Sequence, residues 1–137
     1  MALLEGQHDG RKILLPVAVL RSDIPTDLTF VRGTALLDTG ATTSAIAPNI
    51  IQELGLQPFE KRRLLVATED RMVDYYFFRI GFFAGSRKVP SLPYVLTEAE
   101  GFGMRAAASF DVILGMDALR QCDFQMDRTG HWRLEFG

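Results

Sequence analysis

No apolar run in this chain exceeds eight residues, and the longest, Ile13–Leu20, carries Pro16 inside it. That is far short of the roughly 20 residues a membrane-spanning helix needs. Short apolar runs alternate with turn residues along the whole sequence, the pattern of an all-β protein with small helices. The chain reads as a single domain over residues 1–137, close to the commonest domain size and long enough to bury a core.

The runs give an element order. Lys12–Leu20 is expected as a first strand, with about eleven residues before it, and Phe30–Leu37 as a second, with Gly33 a candidate bulge. Thr42–Ala47 reads as a short extended piece. Pro48–Leu54 reads as a helix, because proline suits the first helical position, Ile50, Ile51 and Leu54 share a face, and Gly55 fits the stop. Arg62–Thr68 and Met72–Phe83 read as a hairpin turning at Glu69-Asp70-Arg71, and Arg87–Leu96 as a further strand. Thr97–Ser109 reads as a loop. Asp111–Leu114 is expected as a buried strand, Met116–Gln121 as a short helix, and Phe124–Asp127 with His131–Phe136 as a terminal hairpin. Strands this short and numerous close into a small barrel or sandwich.

Composition removes several functions. Hydrophobic residues at 47% and charged residues at 23% exclude a disordered chain. The balance of 15 basic against 17 acidic residues gives a net charge of −2, without the basic bias of a dedicated nucleic-acid binder. The densest basic cluster, Lys61-Arg62-Arg63, reads as a solvated strand edge. Cys122 is the single cysteine, so no intrachain disulfide forms, and with only His8 and His131 the metal-ligand set is poor. Glu5 and Asp9 stand where a signal peptide would be basic. The expectations are therefore a cytoplasmic protein with no metal, no cofactor, no nucleic-acid partner and no membrane partner.

Two segments carry chemistry. Ala35-Leu36-Leu37-Asp38-Thr39-Gly40-Ala41 ends an apolar strand abruptly in a carboxylate, a hydroxyl and a glycine. Asp38 would sit in a polar loop above an apolar floor, where carboxylates do chemistry; the same three residues also suit an ordinary turn. Phe110-Asp111-Val112-Ile113-Leu114-Gly115-Met116-Asp117 runs an apolar strand through a glycine into a helix, and Gly115 would allow close packing against another loop.

Together these segments resemble the retropepsin-like aspartic proteases. Leu36-Leu37-Asp38-Thr39-Gly40-Ala41 matches the family's catalytic motif, and Val112-Ile113-Leu114-Gly115 is similar to its second motif, in the right order with a hairpin between. The resemblance covers roughly residues 12–127. It implies an all-β, retropepsin-like closed barrel or sandwich with one or two short helices and a flap hairpin. It also implies an aspartic endopeptidase acting as a homodimer on a peptide or protein substrate. This chain holds one Asp-Thr-Gly, so each subunit would give one Asp38 to a shared dyad. By the same resemblance Thr39 would bond across the axis, Gly40 would contact substrate backbone, and Ala41 would line the pocket. The hairpin Arg62–Ile80, with Val66, Ala67, Thr68 and Glu69, falls where the family places its flap, and Ile46, Val66 and Ile113 are wall candidates.

Departures from the retroviral pattern are visible. The flap tip is charged rather than glycine-rich, Thr42 and Met116 replace an acid–arginine pair, and the chain continues beyond Asp127. These features are closer to cellular and bacterial members. They leave open a non-proteolytic peptide-binding or dimerisation module of the same fold. Ala41 offers no hydroxyl to the catalytic carboxylate, so an optimum at mildly acidic or neutral pH is expected. Asp117 is read as capping the second helix, Asp111 as an exposed or turn residue, and Tyr75–Phe78 as core. Trp132 fits either core or dimer interface.

Overall fold

The computed structural model describes residues 2–8, 10–66, 69–83 and 94–137. Two sheets organise them. The larger is built from β2 (Leu14–Leu20), β3 (Phe30–Leu37), β4 (Ala45–Ile46), β5 (Glu60–Val66), β6 (Glu69–Phe82), β7 (Tyr94–Val95), β8 (Ala99–Gly103) and β9 (Val112–Leu114). Hydrogen bonding runs β2-β3-β9-β4-β8-β6, and β6 pairs back onto β2, so the path closes into a barrel. Closure removes the open edges that such short strands would otherwise expose. The all-β, closed architecture expected from the sequence is the one observed.

The smaller sheet runs β1 (Ala2–Gln7), β11 (His131–Phe136), β10 (Asp123–Met126). Its pairing fixes which side chains share a face. Leu4 stands opposite Leu134, Phe124 opposite the same residue on the other side, and Met126 opposite Trp132. Ala2, Leu4, Phe124, Trp132, Leu134 and Phe136 join the main core, while Glu5, Gln125, Arg133 and Glu135 take the other face. Trp132 is therefore core. Gly6 is required beneath it, because a Cβ there would lie 2.7 Å from the indole ring.

Helix α1 (Pro48–Leu54) has the predicted ends: proline opens it and Gly55, at φ 64°, stops it in the left-handed region. Helix α2 (Met116–Leu119) is a single turn after Gly115. The core centres on Val17, Val19, Ile46, Ile50, Phe78, Ile80, Phe82 and Leu114. Of the aromatic run, Tyr76 and Phe78 belong to it; Tyr75 is buried as well, and half-buried Phe77 stacks on Phe59 with centroids 3.9 Å apart.

Five expectations need correction. The residues before the first long strand hold β1, whose apolar positions are filled only by pairing with β11. The first barrel strand begins at Leu14 rather than Lys12. Gly33 is no bulge, since it pairs in register with Val17; a Cβ there would meet Asp111 Oδ1 at 2.9 Å. The segment read as a loop from Thr97 contains β8, held between β4 and β6. Glu69-Asp70-Arg71 are strand residues, because pairing extends to Val66 opposite Glu69. Most of the strand expected over Arg87–Leu96 lies outside the described residues.

Candidate active site

Asp38 is placed by two strands gripping the end of a third. The N–H of Leu37 donates to the carbonyl of Ile13 at 3.0 Å, and that of Asp38 to the carbonyl of Leu114 at 3.0 Å. The chain then leaves the sheet and turns: the Ala41 N–H donates to the Asp38 carbonyl at 3.2 Å, and the Gly40 N–H donates to Asp38 Oδ1 at 2.9 Å. The carboxylate is half-buried, with Thr39 and Gly40 exposed beside it. One side-chain oxygen is thus tied to its own loop.

The second motif locks this loop from behind. The Met116 N–H donates to the Ala41 carbonyl at 2.8 Å, and the Asp117 N–H to the Thr42 carbonyl at 3.3 Å. Gly115 lets the two backbones touch; a Cβ there would lie 2.6 Å from the Thr43 carbonyl. Ser44, with no exposed surface, accepts from the Gly115 N–H at 3.1 Å and donates to Asp117 Oδ1 at 2.8 Å. Asp117 is structural, as expected: its Oδ1 accepts from the Ala118 N–H at 2.9 Å at the start of α2, although Gly115 rather than Asp117 holds the cap position. The same oxygen braces Ser44. Asp111 is also more than a turn residue, since its Oδ1 accepts from the Thr34 N–H at 2.6 Å and ties β3 to β9.

The structure brings Asp38 and Thr39 together with His8, Lys12, Leu37, Phe124 and Met126 around a depression of about 570 Å³. Sequence reasoning did not single out Ser44, Phe124 or Met126 for the site. Ser44 carries no local signal, because its partners lie 71 and 73 residues away. Of the wall candidates, Ile113 is half-buried beside Ala45, Ala47 and Met104. Ile46 is a correction: it packs in the core with no exposed surface and presents nothing to a cleft. Ala67 and Thr68 lie outside the described residues, as do the side chains of Val66 and Glu69.

On the hairpin, the basic cluster is spent on pairing. Lys61 meets Asp74 at 3.4 Å, Arg62 meets Glu60 and Glu100, and Arg63 meets Asp70. The Arg63 guanidinium holds the Asp70 carboxyl below the usual carboxylate range. The Lys61 and Arg63 pairs cross from β5 to β6, and Arg62 pairs within β5 and to β8, so the cluster's charges are matched rather than gathered into a patch for a polyanion. Among the described residues no group of three or more His, Cys, Asp or Glu could hold a metal, and no helix is long and apolar enough to cross a membrane.

Comparison with known proteins agrees with this geometry. No curated protein matches the chain. Among solved structures it is similar to a retropepsin-like aspartic protease from Rickettsia conorii, with a TM-score of 0.64 and 16% identity, over 98% of this chain and 90% of that one. That likeness carries the fold. A family model described as aspartyl protease matches residues 27–118, which take in the Asp38 loop and reach into α2. The match spans well over half the sequence and both motifs, and the chain belongs to this aspartyl protease family, on a retropepsin-like fold.

Proposed function

We propose that this protein is an aspartic endopeptidase that works as a homodimer, each subunit contributing Asp38. The observation that carries the reading is the Asp38 loop itself: a half-buried carboxylate at a strand end, tied by one oxygen to Gly40 and braced from behind by α2. A lone carboxylate of this kind can act as acid or base but not both at once. Two copies face to face share one proton, because two adjacent negative charges disfavour one another. The ionised member takes a proton from water, which attacks the peptide carbonyl. The protonated member donates to the carbonyl oxygen, and the pair then protonates the leaving amine. The titration belongs to the pair.

Thr39, exposed beside Asp38, is suited to bond across the two-fold axis, and Gly40 to let a substrate backbone approach. An extended peptide would lie between the Asp38 floor and the β5–β6 hairpin, held largely by main-chain hydrogen bonds. Val66, Ala67, Thr68 and Glu69 are the proposed flap contacts, with Ile113 on the wall.

The test is cleavage of a peptide library from acidic to neutral pH, read by mass spectrometry. Cuts by the wild type should fall at least about 10²–10⁴-fold in Asp38→Asn, the size of an acid–base contribution. Asparagine still accepts from Gly40, so the fold should survive. Cleavage that persists in this variant, or no cleavage by a confirmed dimer, would overturn the assignment.

A further inference from the structure

We propose that this site selects acidic peptides, with Lys12 holding a substrate glutamate or aspartate close to the bond that Asp38 cuts. The inference rests on the protease reading above and adds the class of substrate.

The register of the sheet places the lysine. β2 and β3 pair antiparallel with Leu14 opposite Leu36, and the Leu37 N–H still donates to the Ile13 carbonyl at 3.0 Å beyond the start of β2. One step further along the same register sets Lys12 opposite Asp38, and opposed residues share a face. Alternation puts Leu36 on that face too, with Ile113 beside it in β9. Leu36 and Ile113 are only half-buried, whereas Ala35 and Val112, which point the other way, are fully buried. The face that carries Asp38 is thus a half-covered apolar floor with a cation at its edge.

Lys12 is fixed in place. Its Nζ donates to Ser109 Oγ at 2.9 Å and lies 5.9 Å from the centre of the Phe110 ring. Neither group carries a charge, and an ammonium has three N–H donors, so holding these neighbours is compatible with binding a carboxylate. Arg11 lines the same depression, where Asp38 is the one acid among the described residues. The chain as a whole carries a net charge of −2, so the cations gather here against the overall balance. In a two-fold dimer the Asp38 pair shares a proton and carries about one negative charge, against two copies each of Lys12 and Arg11. The described charges of the site therefore favour an anion. An extended peptide advances about 3.3 Å per residue, so a side chain within three residues of the cut bond starts within roughly 10 Å of Asp38. The methylenes of a glutamate there would rest on Leu36 and Ile113 and its carboxylate would meet Lys12.

Peptides carrying Glu or Gln at each of the three positions on either side of one cleavable bond test this, at about pH 6 where glutamate is ionised. The wild type should cleave the best-placed Glu peptide about fivefold faster in kcat/KM than its Gln twin, the size of a partly exposed charge pair. That ratio should shrink as salt rises from about 0.05 M to about 0.5 M. Lys12→Glu, at an exposed position, should invert the choice and prefer a Lys peptide to the Glu one. If that variant does not fold, the wild-type ratio and its salt dependence still decide. Equal cleavage of the twins at every position, a ratio indifferent to salt, or a ratio unchanged in Lys12→Glu would overturn the proposal and leave the protease standing. If no peptide is cut, the protease reading falls, and binding of the same peptides, labelled and followed by fluorescence anisotropy, decides the inference separately. Tighter binding of the Glu twin that is lost in Lys12→Glu would uphold the acidic preference, and equal binding would overturn it.

Discussion

Ser44 donates its hydroxyl hydrogen to Asp117 across 73 residues of sequence, at 2.8 Å, and receives the N–H of Gly115 at 3.1 Å. Together with the backbone bonds to Ala41 and Thr42, this side chain bolts the loop that carries Asp38 to the turn that starts α2. Ser44→Ala would leave the Gly115 N–H buried without its partner and take one donor from Asp117. The expected cost is about 1–3 kcal/mol, read by urea denaturation. Asp117→Asn keeps an acceptor for Ser44 and for the Ala118 N–H, so its loss should be smaller. The reverse order would show that charge rather than hydrogen bonding holds the brace.

Gly115→Ala should be worse for activity than for stability. The added methyl would lie 2.6 Å from the Thr43 carbonyl and 2.9 Å from the Ala41 carbonyl, so the Asp38 loop must shift. Overpacking of this kind costs about 1–3 kcal/mol. A misplaced carboxylate costs on the order of a hundredfold in kcat/KM. Peptide hydrolysis by a variant that still melts cooperatively separates the two effects.

Ala41 sits between Asp38 and α2, donating to one and accepting from the other. Ala41→Ser would add a hydroxyl able to bond the ionised carboxylate, which favours the charged form and moves the optimum toward lower pH. The pH profile of kcat/KM in the two proteins is the measurement. Coincident profiles would show that the hydroxyl does not reach the Asp38 carboxylate.

The terminal hairpin should weaken in acid. Asp127 accepts from the Thr129 hydroxyl at 2.6 Å and from the N–H groups of Thr129 and His131, and these bonds, led by the hydroxyl, hold its carboxyl below the ordinary value. A depressed pKa adds stability above the unfolded carboxyl's pKa, about 4, and loses it as pH falls through the folded value. The melting difference between wild type and Asp127→Ala should therefore be full above about pH 5 and shrink toward pH 2.

Cys122 should react slowly with thiol reagents in the native protein. Burial, with Asp123 nearby, pushes its thiol up to about 11. At pH 8 that leaves roughly 200-fold less thiolate than an ordinary cysteine, and the thiolate is the nucleophile. Alkylation in native buffer and in denaturant, followed by mass, gives the ratio.

Much of this protein follows from local chemistry. Pro48 and Gly55 bracket α1 through backbone preferences that no partner can alter, the run Phe30–Leu37 is a strand from end to end, and Asp38-Thr39-Gly40 marks the loop of the proposed active site. Arg128-Thr129-Gly130 turns the terminal hairpin as its residue types require. What the tertiary structure decided depends on who sits opposite. Ala99–Gly103 looks like a loop because it is rich in glycine, yet Gly101 is there because the Phe78 ring and the Ser44 carbonyl fill the space of a Cβ, 2.5 Å away. Ala2–Gln7 becomes a strand only against β11. Ile46, read as a cleft wall, is core because β8 and β9 close over both edges of its short strand. Ser44 takes its role from Gly115 and Asp117, more than 70 residues away in the chain. Turn and cap preferences act over a few residues and are written in them, whereas strand partners, glycine contacts and buried braces join residues far apart in the chain, and only the folded backbone brings them within a hydrogen bond of one another.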